Sequence, residues 1–255
     1  GLGSTLTVVT TTGTIQIEGT TAELSDSIHG AGLSIFSTDN ATLTEISSLS
    51  GNIDLMGFQN SVDFSTDAGL SIGDSTSVYS TSGKISLWAN ALSTQVEGLV
   101  IDGNARIGQK DGATLHMGQI QVHTDKLQIG NDPIFQSTGS ILFDTYNQES
   151  SIGVADSAGQ LFLSSSLFSN NLQDGFDSIT IGSIGLDLPI YVGKVSVKDD
   201  LIFRNAAGNL FLGDTLDVMN NQLTFAVLDS VVQRDTAAVF AGKVALLGAA
   251  QFELN

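Results

Sequence analysis

The chain reads as an all-β protein, a single-stranded parallel β-helix (β-solenoid) whose coils differ in length. Three observations predict this. A five-residue phrase, Gly-x-apolar-x-apolar, begins at Gly13, Gly51, Gly83, Gly139, Gly159 and Gly208, with a looser copy at Gly112. The composition sets 28 glycines against two prolines, amid many Ser, Thr, Asn and Asp, as numerous short strands joined by tight turns require. Helical periodicity is nearly absent. Its best candidate is Val227-Leu228-Asp229-Ser230-Val231-Val232, whose apolar pairs fall four apart; the following Ala237 to Leu247 reads equally well as strand.

Taken in order, Leu6 to Thr12 is β-branched and runs straight into Gly13, which marks a strand from the outset. Each copy of the phrase then joins a turn residue to a short strand whose side chains alternate across a sheet. The steps between Gly13, Gly51, Gly83, Gly112, Gly139 and Gly159 are 38, 32, 29, 27 and 20 residues by subtraction. Coils that share strands but differ in their loops produce such uneven steps. Ala31-Gly32-Leu33-Ser34-Ile35 returns as Ala68-Gly69-Leu70-Ser71-Ile72 after 37 residues, nearly the Gly13 to Gly51 step, which marks a tandem duplication of a two-strand unit.

Farther on, an apolar residue followed by glycine closes strands at Ile72-Gly73, Ile107-Gly108, Ile129-Gly130, Ile181-Gly182 and Leu212-Gly213. Glycine at these places permits the positive φ of a coil corner. Period-two alternation is plain at Val62-Asp63-Phe64, Ile120-Gln121-Val122, Leu127-Gln128-Ile129, Ile179-Thr180-Ile181 and Val195-Ser196-Val197. Residues 1–255 therefore read as one continuous solenoid, a fragment or subunit of a longer fibre, with 226–255 set apart as a candidate terminus or junction.

The Gly-x-Ile-x-Leu strand starts and the phrase Asp174-Gly175-Phe176-Asp177-Ser178-Ile179-Thr180-Ile181-Gly182 resemble the interior of filamentous-haemagglutinin-like bacterial exoproteins. The likeness is one of repeat style and covers most of residues 13–215. It implies a right-handed parallel β-helix on an extracellular or cell-surface protein. The amino-terminal secretion signature of that family, of the Asn-Pro-Asn-Gly type, does not occur here.

Charge and composition exclude several functions. Nine basic against 27 acidic residues give −18, which repels the phosphate backbone and excludes nucleic acid as a partner. With no cysteine there is neither disulfide nor thiolate metal site. No apolar run is long enough for a membrane helix, and no signal peptide opens the sequence, so the chain reads as mature or excised.

The residues that could carry chemistry are few. Asp199-Asp200 is the obvious carboxylate pair for a polysaccharide-cleaving β-helix enzyme, yet adjacent strand residues point to opposite faces. Arg106 and Lys110 form the nearest approach to a basic cluster. His29, His116 and His123 lack metal-motif spacing, and no Gly-x-Ser-x-Gly elbow occurs. Asp39-Asn40, Asp74-Ser75 and Asp214 are spaced as turn residues rather than calcium ligands. Trp88 stands alone and faces opposite to Leu87, Tyr79, Tyr146 and Tyr191 are dispersed, and Phe64, Phe143, Phe203 and Phe225 fall on alternating positions suited to interior stacking.

The sequence therefore assigns no catalytic, cofactor-binding or metal residues and expects no cofactor. The expected function is structural: a filament subunit, stalk or adhesin shaft associating end to end or continuing into further coils, with a surface glycan or cell-surface partner. The alternatives are a polysaccharide-degrading lyase or hydrolase and a carbohydrate-binding phage spike.

Overall fold

The computed structural model describes residues 7–21, 32–36, 43–60, 68–92, 96–110, 114–248 and 250–254. The chain divides into two compact units, Gly1–Gly139 and Ser140–Asn255. Each is a parallel β-helix. Hydrogen bonds run from coil to coil, so a strand's neighbours lie one coil earlier and one coil later in sequence.

In the first unit three ladders recur in a fixed order. The first contains Thr7–Thr10, Thr44–Ser48, Thr76–Ser80, Arg106–Ile107 and Ile134–Phe135; the second contains Ile15–Thr21, Ile53–Gln59, Ile85–Ala91 and Ile120–His123; the third contains Leu33–Ile35, Leu70–Ile72, Leu99–Ile101 and Leu127–Ile129. Register stacks like on like. Ile15, Ile53, Ile85 and Ile120 form one column, and Leu33, Leu70, Leu99 and Leu127 form another. Ile53, Leu55, Ile85, Leu87, Leu70 and Leu99 are completely buried. Branched side chains repeated about 4.8 Å apart stack column on column, which is how such narrow coils obtain a core.

The corner between the first and second ladders is built from a repeated device. Ser48 Oγ accepts the Gly51 N–H at 2.8 Å, and Ser80 Oγ accepts the Gly83 N–H at 3.0 Å. Ser80 Oγ also donates to Gly51 O at 3.0 Å, which ties one coil to the one before it. Ser137 Oγ accepts the Gly139 N–H at 2.9 Å and donates to Gly118 O at 2.8 Å. A Cβ on Gly51, Gly83 or Gly118 would collide with the carbonyl of the glycine one coil back, so glycine is demanded by close approach of backbones.

The second unit winds more tightly after a first step of 38 residues, from Ser140 to Ser178. Its long ladder contains Ser140–Asp144, Ser178–Ile181, Leu201–Asn205, Gln222–Val227 and Lys243–Leu247. Register pairs Ile179 with Leu201, Leu201 with Leu223 and Leu223 with Val244, steps of 22, 22 and 21 residues. A second ladder runs Leu161–Leu163, Ile152–Val154, Ile190–Val192, Leu210–Leu212, Ser230–Gln233, Gln251–Glu253. Here the chain steps back once before advancing, because Leu161–Leu163 pairs on the far side of Ile152–Val154. A short ladder of Val195–Ser196, Leu216–Asp217 and Val239–Phe240 completes the coil. Phe203 and Phe225 stack inside it, ring centroids 5.9 Å apart.

Several expectations hold in detail. The duplicated Leu-Ser-Ile segments are in-register neighbours, Leu33 on Leu70 and Ile35 on Ile72. Phe143, Phe203 and Phe225 are interior. Others need correction. The fourth strand of the second ladder follows Gly118, whereas Gly112 lies outside the described residues, as does Val62-Asp63-Phe64.

The Gly159 and Gly208 copies lead strands of a different ladder from Gly13 and Gly51, because the phrase reports a corner and does not specify which one. The helix candidate at Val227 is two strands, Gln222–Val227 and Ser230–Gln233, with exposed Leu228 at the bend. Period-two burial of Leu223, Phe225, Val227 and Val231 outweighed the four-residue spacing. Of the five apolar-glycine corners, Gly108 and Gly182 have positive φ, +85° and +80°, whereas Gly73, Gly130 and Gly213 do not, so the coil turns there without the left-handed conformation.

Candidate functional site

The carboxylate pair is engaged in holding the backbone. Asp199 and Asp200 lie in the bend before Leu201. Asp199 Oδ1 accepts the Gly175 N–H at 3.0 Å, and Asp200 Oδ1 accepts the Gln222 N–H at 2.8 Å, so each carboxylate ties down a different segment. Burial pushes the Asp199 carboxyl above the usual carboxylate range, with the charges of Asp174 and Asp200 acting in the same direction and the Gly175 hydrogen bond opposing them. Each carboxylate thus has a structural partner, and each keeps one oxygen outside that bond.

The histidines separate too. His116 occupies the corner position that serines hold in other coils of the first unit. It is completely buried, its Nδ1 sits on Ser80 O, and its Nε2 lies 3.4 Å from Gln119 O. Burial holds its pKa below the ordinary imidazole value despite both carbonyls. His123 stacks on Trp88, ring centroids 3.8 Å apart and planes at 10°. Burial, then the charge of Lys84, lowers its pKa to about 4. Register places Met56, Trp88 and His123 in one row on the face opposite Leu55 and Leu87. His29 lies outside the described residues.

Arg106 Nη1 donates to Gln109 Oε1 at 2.8 Å, and Gln109–Lys110 pairs antiparallel with Thr114–Leu115. That hairpin interrupts the parallel winding and was not legible in the sequence. Asp74 Oδ1 accepts the Asn104 N–H at 3.2 Å and Asp214 Oδ1 the Thr215 N–H at 2.6 Å, both as turn residues; Asp39-Asn40 lies outside the described residues. Tyr79 bonds Thr81 at 3.0 Å, Tyr191 stacks on Phe211 at 5.4 Å, and Tyr146 is exposed. Among the described residues no group of three or more His, Asp or Glu could hold a metal ion, and no helix is long and apolar enough to cross a membrane.

No family model, no curated protein and no solved structure matches this chain. Function must therefore be argued from the geometry alone.

The feature that departs most from an ordinary surface is the last described coil of the second unit. Val244 and Leu246 continue the columns of Leu223 and Phe225. Leu223 and Phe225 are 0% exposed, whereas Val244 and Leu246 are 44% and 46% exposed. Leu247 is exposed beside them. Among the described residues, Lys243–Leu247 pairs with Gln222–Val227 on one side and with nothing on the other. Among the described residues, apolar core positions and the outer strand of the ladder thus coincide, the combination that favours strand addition.

Proposed function

We propose that this chain is a non-catalytic extracellular structural protein of a bacterial surface, a filament subunit, stalk or adhesin shaft built by stacking coils. One observation carries the reading: the last coil presents Val244 and Leu246 in register with a completed core column, ready to receive another coil. Stacked parallel ladders favour it as well, since they resist bending and extension through many concurrent hydrogen bonds. Asp199 and Asp200 each hold a backbone amide, a structural role that favours it over polysaccharide cleavage.

Sedimentation velocity and electron microscopy of the purified 255 residues test the reading. Concentration-dependent end-to-end oligomers are expected, and Leu246→Asp abolishes them by placing a charge where the next coil would pack. A monomer at every concentration, or release of reducing ends from an acidic polysaccharide, overturns it.

A further inference from the structure

The second unit carries an open cleft of about 380 Å³ between the π-helix Leu167–Asn171 and the short ladder. This lies at the low end of the ~300–1,000 Å³ range of small-molecule clefts. The π-helix is anchored by Leu167 and Phe168, which are 1% and 3% exposed, and closed by the Leu172 N–H donating to Leu167 O at 2.9 Å. Single π turns are frequent at functional sites. Here the turn leaves Ser165 and Ser169 exposed along one wall.

The floor is set by register. Ser196 and Asp217 line it, and Phe240, the next partner in the same parallel ladder, flanks it from outside the lining, the three forming one outward row spaced about 4.8 Å apart. Lys194 and Thr215 form the row beside it, since each precedes one of the paired residues Val195 and Leu216.

The polar groups here are largely unspent. The side chains of Ser165, Lys194, Ser196 and Thr215 make no hydrogen bond or ion pair with another described residue, unlike the serines of the coil corners. Asp217 uses Oδ1 to accept the Met219 N–H at 2.7 Å, which holds the carboxylate in place and leaves Oδ2 for a ligand. Phe240, 55% exposed on the adjoining coil, offers an aromatic face beside that carboxylate.

We propose that this cleft binds a neutral saccharide. Hydroxyls that both donate and accept, an oriented carboxylate, an ammonium and a flanking aromatic face match what a pyranose presents: vicinal hydroxyls at its edge and an apolar C–H face. A peptide would need apolar pockets for alternate side chains, and buried Val195 is the one apolar residue lining the cleft. Asp217 in the lining and a chain of net charge −18 oppose an acidic saccharide, against the single positive charge of Lys194. The inference rests on the second unit's geometry and stands or falls apart from the filament reading.

Calorimetric or NMR titration of the 255-residue chain with cellobiose, N,N′-diacetylchitobiose, lactose and mannobiose tests it, with digalacturonate as the acidic probe. At least one neutral disaccharide binds with a Kd of order 1 mM. Phe240→Ala and Ser196→Ala each weaken that binding about tenfold, while Phe162→Ala, which removes an exposed aromatic from the other short-strand ladder, leaves it unchanged. Thermal melts of the three variants confirm that each is folded. Silence of all four neutral probes at ~10 mM, tighter binding of digalacturonate, or equal loss in Phe240→Ala and Phe162→Ala overturns the proposal.

Discussion

At the scale of single residues, burial governs the titrating groups. His123 is held neutral in its stack on Trp88, its pKa lowered from the ordinary 6.5 to about 4. A base that binds its proton less readily when folded lends stability that is complete above pH 6.5 and is lost as pH falls toward 4. Trp88 is the sole tryptophan, so its fluorescence is expected to change with a midpoint near 4, and His123→Gln removes that transition.

Asp199 is the opposite case. Its carboxyl is raised by burial, so ionisation at neutral pH works against folding and protonation in acid relieves the cost. Asp199→Asn, which keeps an acceptor for the Gly175 N–H, is expected to raise Tm by roughly 1–3 °C at pH 7 and by less as pH falls through the carboxylate range. A lower Tm for the variant at pH 7 would contradict this. Gln59, 1% exposed, has neither side-chain Oε1 nor Nε2 partnered among the described residues. Gln59→Leu should stabilise the chain by about 1–2 kcal/mol in denaturant titration, because an unsatisfied buried amide is replaced by apolar surface.

Among the structural elements, the corner device decides where coils turn. Ser80 Oγ serves two coils at once, accepting from Gly83 and donating to Gly51. Ser80→Ala leaves a buried N–H and a buried carbonyl short of a partner, with an expected loss of about 1–3 kcal/mol. Gly83→Ala is expected to cost more, since the added Cβ meets the Gly51 carbonyl and the backbones of two coils must separate. Chemical denaturation of both variants gives the ranking; a milder effect from Gly83→Ala would mean that the coils slide apart easily. The glycines of this corner, Gly51 and Gly83, were legible in the sequence as starts of the repeated phrase, whereas the role of Ser48 and Ser80 three residues earlier emerged only from the hydrogen bonds. His116 was not, because a histidine replaces the serine and its carbonyl partners come from Ser80 and Gln119, one of them 36 residues away.

For the molecule as a whole, net charge opposes any assembly that the exposed apolar coil promotes. A chain carrying −18 repels its copies, and that repulsion is screened over about 10 Å at 0.1 M salt. Association through the Val244 and Leu246 face should therefore strengthen as sodium chloride rises from ~0.02 to ~0.5 M, the reverse of what an ion-paired interface would show. Sedimentation across that range measures it, and weakening with salt would count against an apolar contact.

The sequence by itself determined the class of fold, because period-two alternation and a glycine at each corner are local requirements of backbone geometry. It also placed Leu33 against Leu70, since duplicated segments fall into register when coils stack. Which corner a given Gly-x-apolar-x-apolar phrase occupies was settled only by the tertiary structure, as the Gly159 and Gly208 strands demonstrate. The cleft beside the π-helix belongs to the same category. Ser196, Asp217 and Phe240 are about 21 to 23 residues apart, and only coil-to-coil hydrogen bonding sets them side by side.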